Sequence, residues 1–441
     1  EMKNLYEASC RMFEETQKES FLFIFFDPDE PDSTSKVNLS LKLKIMGLKG
    51  YAEDFLLTPE SSASIVPLLE SILEANKKPL IGYNLKNFYT FVKRITGKEF
   101  KFKTIFDLYW YESYARLDST QGKIKESIKN VMELAKNTKL LSLYKEVYIP
   151  LITQVLPQIE SFAFRHDEKC VKVYSNYILE GQENGRLLCN SEKKYSFNPH
   201  TMSEEKANIK FLSYYKYFLQ FDYKNMEVSV LAELSQDKVL LDIIESQKDV
   251  YSTIFSTITG LDNFENSREY GKKLFLPLIY GQTSNSLAKI LDISYEQAEN
   301  YCKKARDIFK KSFEYVESYA ENARTQNMCK DVFGRVRNFE ASEAYKARNF
   351  CIQSPSALIC LYYLVKLYMA SGELYSLAFH VHDGYFIATR KETVQEAYQV
   401  AKKVLESSNQ FLPELKLLTS SKVGTSLDKM FPINAKERHK T

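Results

Sequence analysis

Two apolar stretches each run into an aspartate: YFLQFD ends at Asp222 and LAFHVHD ends at Asp383. An Asp at the end of a strand leaving a core sits at the rim of its sheet. Two such strands side by side would bring both carboxylates to one point. Carboxylates a few ångströms apart repel, and a pair of divalent cations removes that penalty. Magnesium suits such a place, because it takes few carboxylates and completes its shell with water and substrate phosphates. Two ions held so can clamp the attacking and leaving oxygens of an in-line phosphoryl displacement. Alone, the pair is a weak signal. Strand-end Asp also forms turns and caps helices, and Asp383-Gly384 is a good turn by itself.

A third segment adds to it. In SREYGKKLFLPLIYGQ, Arg268, Lys272, Leu276 and Tyr280 recur every four residues. On a helix that spacing makes one slowly drifting stripe. Two cations, an apolar residue and an aromatic along the stripe would meet a nucleoside triphosphate lengthwise. The cations would face phosphates, and the other two would face sugar and base. An amphipathic surface helix would show the same spacing.

The three segments, in this order, resemble motifs A, B and C of family A DNA polymerases, the DNA polymerase I type. FDYKNMEVSVLAELSQD resembles motif A, SREYGKKLFLPLIYGQTSNSLAKIL motif B, and HVHDGY motif C. Before and between them, NGRL (184–187), QKDVYSTIF (247–255), DVFGRVRNF (331–339) and ARNFCIQSPSALI (347–359) resemble further family segments, so that the similarity spans about 184–430. The resemblance implies an α+β right-hand polymerase of palm, fingers and reduced thumb, preceded by an α/β ribonuclease H-like exonuclease domain. It also implies primer-dependent synthesis from dNTPs on primer-template DNA, with two Mg²⁺ ions for which Mn²⁺ can substitute.

Carried over by position, Asp222 and Asp383 bind the metals. Arg268 and Lys272 bind the triphosphate, with Lys272 a candidate proton donor to pyrophosphate. Tyr280 lies by the nascent base pair, and Tyr251 helps hold the nucleotide. Glu227 falls where the family has its sugar gate, which excludes a ribose 2′-OH. Arg186 and His382 would contact the primer terminus, and Asn349 and Gln353 the minor groove. Several positions depart from the pattern. Leu276 replaces an aromatic, Tyr251 a His, Tyr345 an Arg and Gly384 a Glu, which leaves two core carboxylates instead of three. Pro277 removes an amide donor within motif B and should bend that helix.

Residues 21–117 resemble the family's 3′–5′ exonuclease domain. FFDPDE offers Asp27 and Asp29 as carboxylates, which are otherwise ordinary turn residues around Pro28. GYNLKNF ends in Phe88 where the second motif needs Asp, and Tyr114 to Asp118 has the third motif's spacing but comes too early. A two-metal nuclease needs its carboxylate set, so an inactive, structural domain is expected. Only residues 162–185 are left for the thumb, which as helix reaches at most about 36 Å. A stub is expected, so that a processivity or replication partner supplies the missing grip, or the protein binds DNA weakly, or the chain has been trimmed there.

The expected division is 1–120 exonuclease-like, 121–200 connector and reduced thumb, 201–252 first part of the palm, 253–339 fingers and 340–441 second part of the palm. The 441 residues, 44% hydrophobic, can bury sizeable cores, while 60 Lys and Arg against 57 Asp and Glu name no partner. Local basic stretches such as Lys123 to Lys145 must carry any nucleic-acid argument, or else they are solvated faces. The seven cysteines form no C-x-x-C pair, which points away from a zinc site or disulfide framework and toward a reducing intracellular compartment. No apolar run approaching transmembrane length and no signal peptide is visible, so no membrane association is expected. The chain starts at Glu1 rather than Met, as a fragment of a longer product would. The competing readings are a ribonucleotide-using polymerase or primase of the same fold, and a degenerate DNA-binding scaffold.

Overall fold

The computed structural model describes residues 22–26, 41–47, 52–77, 79–121, 123–167, 171–189, 198–201, 209–211, 214–262 and 264–433. Strands β1 (Leu22–Phe26), β2 (Leu41–Gly47), β3 (Ala52–Leu57), β4 (Leu80–Gly82) and β5 (Ile105–Asp107) form one sheet in the order β3-β2-β1-β4-β5. β1, β2 and β3 pair antiparallel, while β4 runs parallel to β1 and β5 parallel to β4. Parallel neighbours need a crossover, and α1 (Leu85–Thr96) supplies the one between β4 and β5. The helix before β4 starts at a capping box between Thr58 and Ser61.

Residues 124–161 are helical, as their pattern predicts, with π-helical turns at Tyr144–Tyr148 and Leu151–Val155. Tyr144 and Tyr148 pack on Trp110, ring centroids 4.6 and 4.4 Å away. The segment expected to be a thumb stub carries strands rather than helix: β6 (Phe164–His166), β7 (Val171–Val173) and β8 (Tyr177–Ile178), with β9 (Leu188–Cys189) just after it. β10 (Ile209–Phe211) joins β6 and β7, and β8 pairs with β9. Phe211 and Phe164 stack on Phe218 at 4.0 and 6.2 Å, which fixes this small sheet to the next layer.

That layer begins with β11 (Tyr217–Tyr223), followed by α2 (Met226–Ser235), α3 (Val250–Thr259) and α4 (Ser267–Ile279). More helices lead to a ribbon of β12 (Met328–Lys330) and β13 (Val336–Asn338), then to α5 (Ala347–Ala370). β14 (Tyr375–Val381), β15 (Gly384–Thr389), α6 (Val394–Leu405), β16 (Thr419–Ser426) and β17 (Lys429–Pro432) complete the described chain. The sheet order is β14-β15-β11-β16-β17, all antiparallel, with β11 at its centre. Alternation along β11 sends Phe221 and Tyr223 against Tyr398 and Tyr363 of the covering helices. Gln220 and Asp222 are therefore left on the other face.

The fold is α+β. One hydrophobic cluster runs from Leu57 of β3 to Leu427 just past the end of β16, so packing does not set the front sheet apart as a separate body. A second cluster joins α2, α3 and α4. The segment 341–370 is long and apolar enough to cross a membrane, contrary to the reading of the sequence, but 89% of its most apolar window is buried inside the protein. Its composition is that of a core helix.

Candidate active site

The chain reverses between β14 and β15 through His382 and Asp383, with His382 at a φ of 53°. The β11–β15 register sets Asp222 opposite Gly384, and the Tyr223 N–H donates to the Asp383 carbonyl at 3.4 Å. The two aspartates are thereby brought side by side. A Cβ on Gly384 would lie 2.6 Å from Asp222 Oδ1. Glycine stands at this place because the Asp222 carboxylate occupies the space over it. Gln220, two residues back on the same face, donates Nε2 to Asp222 Oδ2 at 2.6 Å. Among the described residues no group of three or more His, Cys, Asp or Glu side chains is placed to hold a metal. Carboxylates at adjacent strand positions match what magnesium takes when phosphates complete its shell; Asp383 lines a cavity, whereas Asp222 is not part of its wall.

A cavity of about 320 Å³ opens beside Asp383. Arg268, Lys272 and Leu276 reach it from α4, Glu227 from α2, Tyr251 from α3, Arg186 from the loop before β9, and His382 from the hairpin. Eight predicted residues, Asp383 included, thus converge from segments far apart in sequence. Tyr223, Asn225, Met226, Ser356, Ala357 and Cys360 complete the wall. These six were not singled out in the sequence; Met226, Ser356, Ala357 and Cys360 are small or apolar and carry no chemical signal there.

Contact between α3 and α4 depends on Gly271, where a Cβ would sit 2.0 Å from the Tyr251 carbonyl oxygen. Pro277 falls in the last turn of α4, which ends at Ile279. Arg268 pairs with Asp249 and lies over the Tyr251 ring, 5.5 Å from its centroid. Asp249 caps α3 by accepting from the Ser252 N–H at 2.9 Å. Burial opposes its ionisation, yet the Ser252 amide and hydroxyl and Arg268 hold its carboxyl below the ordinary range. Burial, then the charge of Glu227, pushes the Tyr251 phenol well up.

Glu227 joins two sides of the cavity. It accepts from Arg186 Nη2 at 2.8 Å and from the Tyr280 hydroxyl. Tyr280 itself does not line the cavity; burial and the Glu227 charge raise its phenol far above the ordinary value. Asn349 and Gln353 are also outside the wall, on the first turns of α5. Gln353 accepts from Asn184 Nδ2 at 3.3 Å, which links α5 to the NGRL turn. Within that turn Asn184 Oδ1 accepts from the Arg186 N–H at 3.1 Å. Gly185 has a φ of 77°, and a Cβ on it would meet the Arg335 guanidinium at 2.3 Å, so glycine is needed on both counts. Arg335 is buried, paired with Glu180, bonded to the Tyr148 hydroxyl at 2.9 Å and set over the Tyr114 ring. Arg186 is aimed from this base.

His382 stacks near His200, ring centroids 4.7 Å apart. Desolvation, then the nearby Arg186 charge, lowers the His382 imidazole below its ordinary value. Burial, then His382, pushes His200 down to about 4. His200 and Gln220 are site-adjacent residues that the sequence did not reveal.

The second place where metal chemistry was weighed looks different. Phe88 on α1 is fully buried, edge-on to Phe100 at 4.9 Å. Beside it, Asp107 accepts from the Asn84, Leu85 and Trp110 N–H groups, and burial raises its carboxyl to about 6 despite them. The Tyr114 hydroxyl donates to the Phe333 carbonyl. Asp27 and Asp29 lie outside the described residues.

Known proteins resemble this chain in sequence and in fold. DNA polymerase I, thermostable, of Thermus filiformis is 26% identical over 204 residues, 43% of this chain and 24% of the relative. DNA polymerase I of Borreliella burgdorferi is 25% identical over 322 residues, 66% of this chain and 33% of the relative. The chain thus spans about a quarter to a third of the length of these curated relatives. The POL domain of Pol1 from M. smegmatis, solved in complex with DNA primer-template and dNTP, superposes with a TM-score of 0.69 at 15% identity, covering 94% of this chain and 97% of that one. A model of DNA polymerase family A matches residues 99–429, well over half of the sequence, and the chain therefore belongs to DNA polymerase family A.

Proposed function

We propose that this protein catalyses template-directed, primer-dependent DNA synthesis from dNTPs. The observation that carries the proposal is the single cavity into which Asp383, Arg268, Lys272, Glu227 and Arg186 converge from separate segments. Palm (201–252 and 340–441) and fingers (253–339) are the natural division around it. Arg268 and Lys272 bind the triphosphate along α4, with Lys272 placed to donate a proton to the leaving pyrophosphate. Leu276 and Tyr280 bound the sugar and base end. Glu227, held by Arg186 and Tyr280, presents a fixed carboxylate that crowds out a 2′-OH, which favours deoxynucleotides. Asp222 and Asp383, with Gln220 steadying the first, would hold magnesium, which supplies charge neutralisation for the attack of the primer 3′-OH on the α-phosphate. Arg186, His382, Asn349 and Gln353 position the primer-template.

The front sheet we read as an exonuclease-like fold without nuclease activity. Its strand order and the buried Phe88 support that reading. Because the thumb segment is short, the protein is proposed to be distributive, relying on a partner for long products. An intracellular setting follows from the same reading. Primer extension with Mg²⁺ and either dNTPs or NTPs tests the function. Extension by dNTPs is expected. Preference for NTPs would support the ribonucleotide alternative, and DNA binding without extension would support the scaffold.

A further inference from the structure

A second cavity, of about 270 Å³, opens next to the first and shares Arg268 and Asn225 with it. Lys224, Lys248 and Lys416 line it as well. Asp249 is the one carboxylate in its wall, and Arg268 already engages it. Lys416 touches Glu245 at 3.1 Å, but both side chains are at least 60% exposed, so water weakens that pair. The Lys224 N–H donates to the Leu418 carbonyl at 2.8 Å, which fastens the loop carrying Lys416 to the turn after Asp222. The cavity is therefore a shaped, cationic space, and nucleotide addition as described above leaves its three lysines without a task.

Its position indicates the ligand. Along α4 the order Arg268, Lys272, Leu276, Tyr280 gives the nucleotide site a direction, with phosphates at the Arg268 end and base at the Tyr280 end. The second cavity adjoins the Arg268 end. Residues expected to meet duplex DNA, Asn349 and Gln353, are absent from its wall. We propose that this cavity is an anion subsite that receives pyrophosphate as it leaves the nucleotide site. Lysines suit the task, being mobile point charges that bind phosphate without fixing its orientation. The inference rests on the polymerase reading.

Two measurements on Lys224→Ala/Lys248→Ala test it. The first is inhibition of single-nucleotide incorporation by added inorganic pyrophosphate. The inhibition constant is expected to rise about tenfold, with the KM for dNTP and the Kd for primer-template changed less than about twofold. An unchanged inhibition constant would overturn the proposal. So would an equal loss of DNA affinity, which would make the cavity a backbone-phosphate contact. The second is calorimetric titration of magnesium pyrophosphate into the DNA-free protein, which needs no activity. Weaker binding by the variant supports the subsite, and equal binding overturns it. A wild type that incorporates nothing would sink the polymerase reading by itself, while the titration would still decide the fate of the cavity.

Discussion

The cavity beside Asp383 and the packed region around Phe88 are two places where the same metal-assisted phosphoryl chemistry could reside, and they have been built in opposite ways. Around Asp383, charged side chains from separate elements stop at an open space, and Arg268 and Lys272 are exposed. Around Phe88, an aromatic fills the position, and the nearby carboxylate Asp107 is consumed in capping a helix and a turn. The difference teaches that a polar residue signals a site only where its hydrogen-bonding capacity is left for a ligand. Buried and fully bonded, the same residue types build structure.

The contrast can be broken by substitution on either side. Asp222→Asn should cut single-nucleotide incorporation by more than about a hundredfold, since the metal contribution is worth several kcal/mol. Primer-template affinity measured by fluorescence anisotropy should change little. On the other side, Phe88→Asp should restore no nuclease and instead destabilise the fold by about 3 kcal/mol or more, because it opens a cavity and buries an unpaired charge. Denaturant unfolding would show this, whereas a stable variant that shortens labelled single-stranded DNA would erase the contrast.

Two smaller changes sharpen it. Gly384→Ala places a methyl against Asp222 Oδ1, so the carboxylate must turn away from Gln220. Incorporation should fall about tenfold, consistent with a misplaced catalytic group, and the melting temperature should barely move. Glu227→Ala should raise ribonucleotide incorporation relative to deoxynucleotide by about tenfold. Equal use of both sugars by the wild type would show that Glu227 is no gate.

Part of the site was legible in the sequence from charged residues at fixed spacing, while Glu227, Tyr251, Arg186 and His382 came only with the resemblance to family A. Arg268, Lys272 and Leu276 needed only helical periodicity to be placed on one stripe, and Asp222 and Asp383 only their strand-end positions. What could not be read depends on pairing between distant segments. The reason for Gly384 is visible only once the β11–β15 register sets Asp222 over it. The same holds for Arg335, whose partners Glu180, Tyr148 and Tyr114 come from three other segments. The strands in the expected thumb stub are short, as is β17, and two to four residues carry no periodic signal. Helix 347–370 does not read as a span in the sequence because polar residues interrupt its apolar run, and in the structure most of its residues are buried in the core.

The central claim is that synthesis is the live activity and that it resides at Asp383. The direct test is a 5′-labelled primer annealed to a longer template, incubated with Mg²⁺ and four dNTPs, with wild type and Asp383→Asn run side by side. The account predicts longer products from the wild type, no shorter ones, and no change of the primer by the variant. Extension that persists in Asp383→Asn, or primer shortening by both proteins, would contradict it.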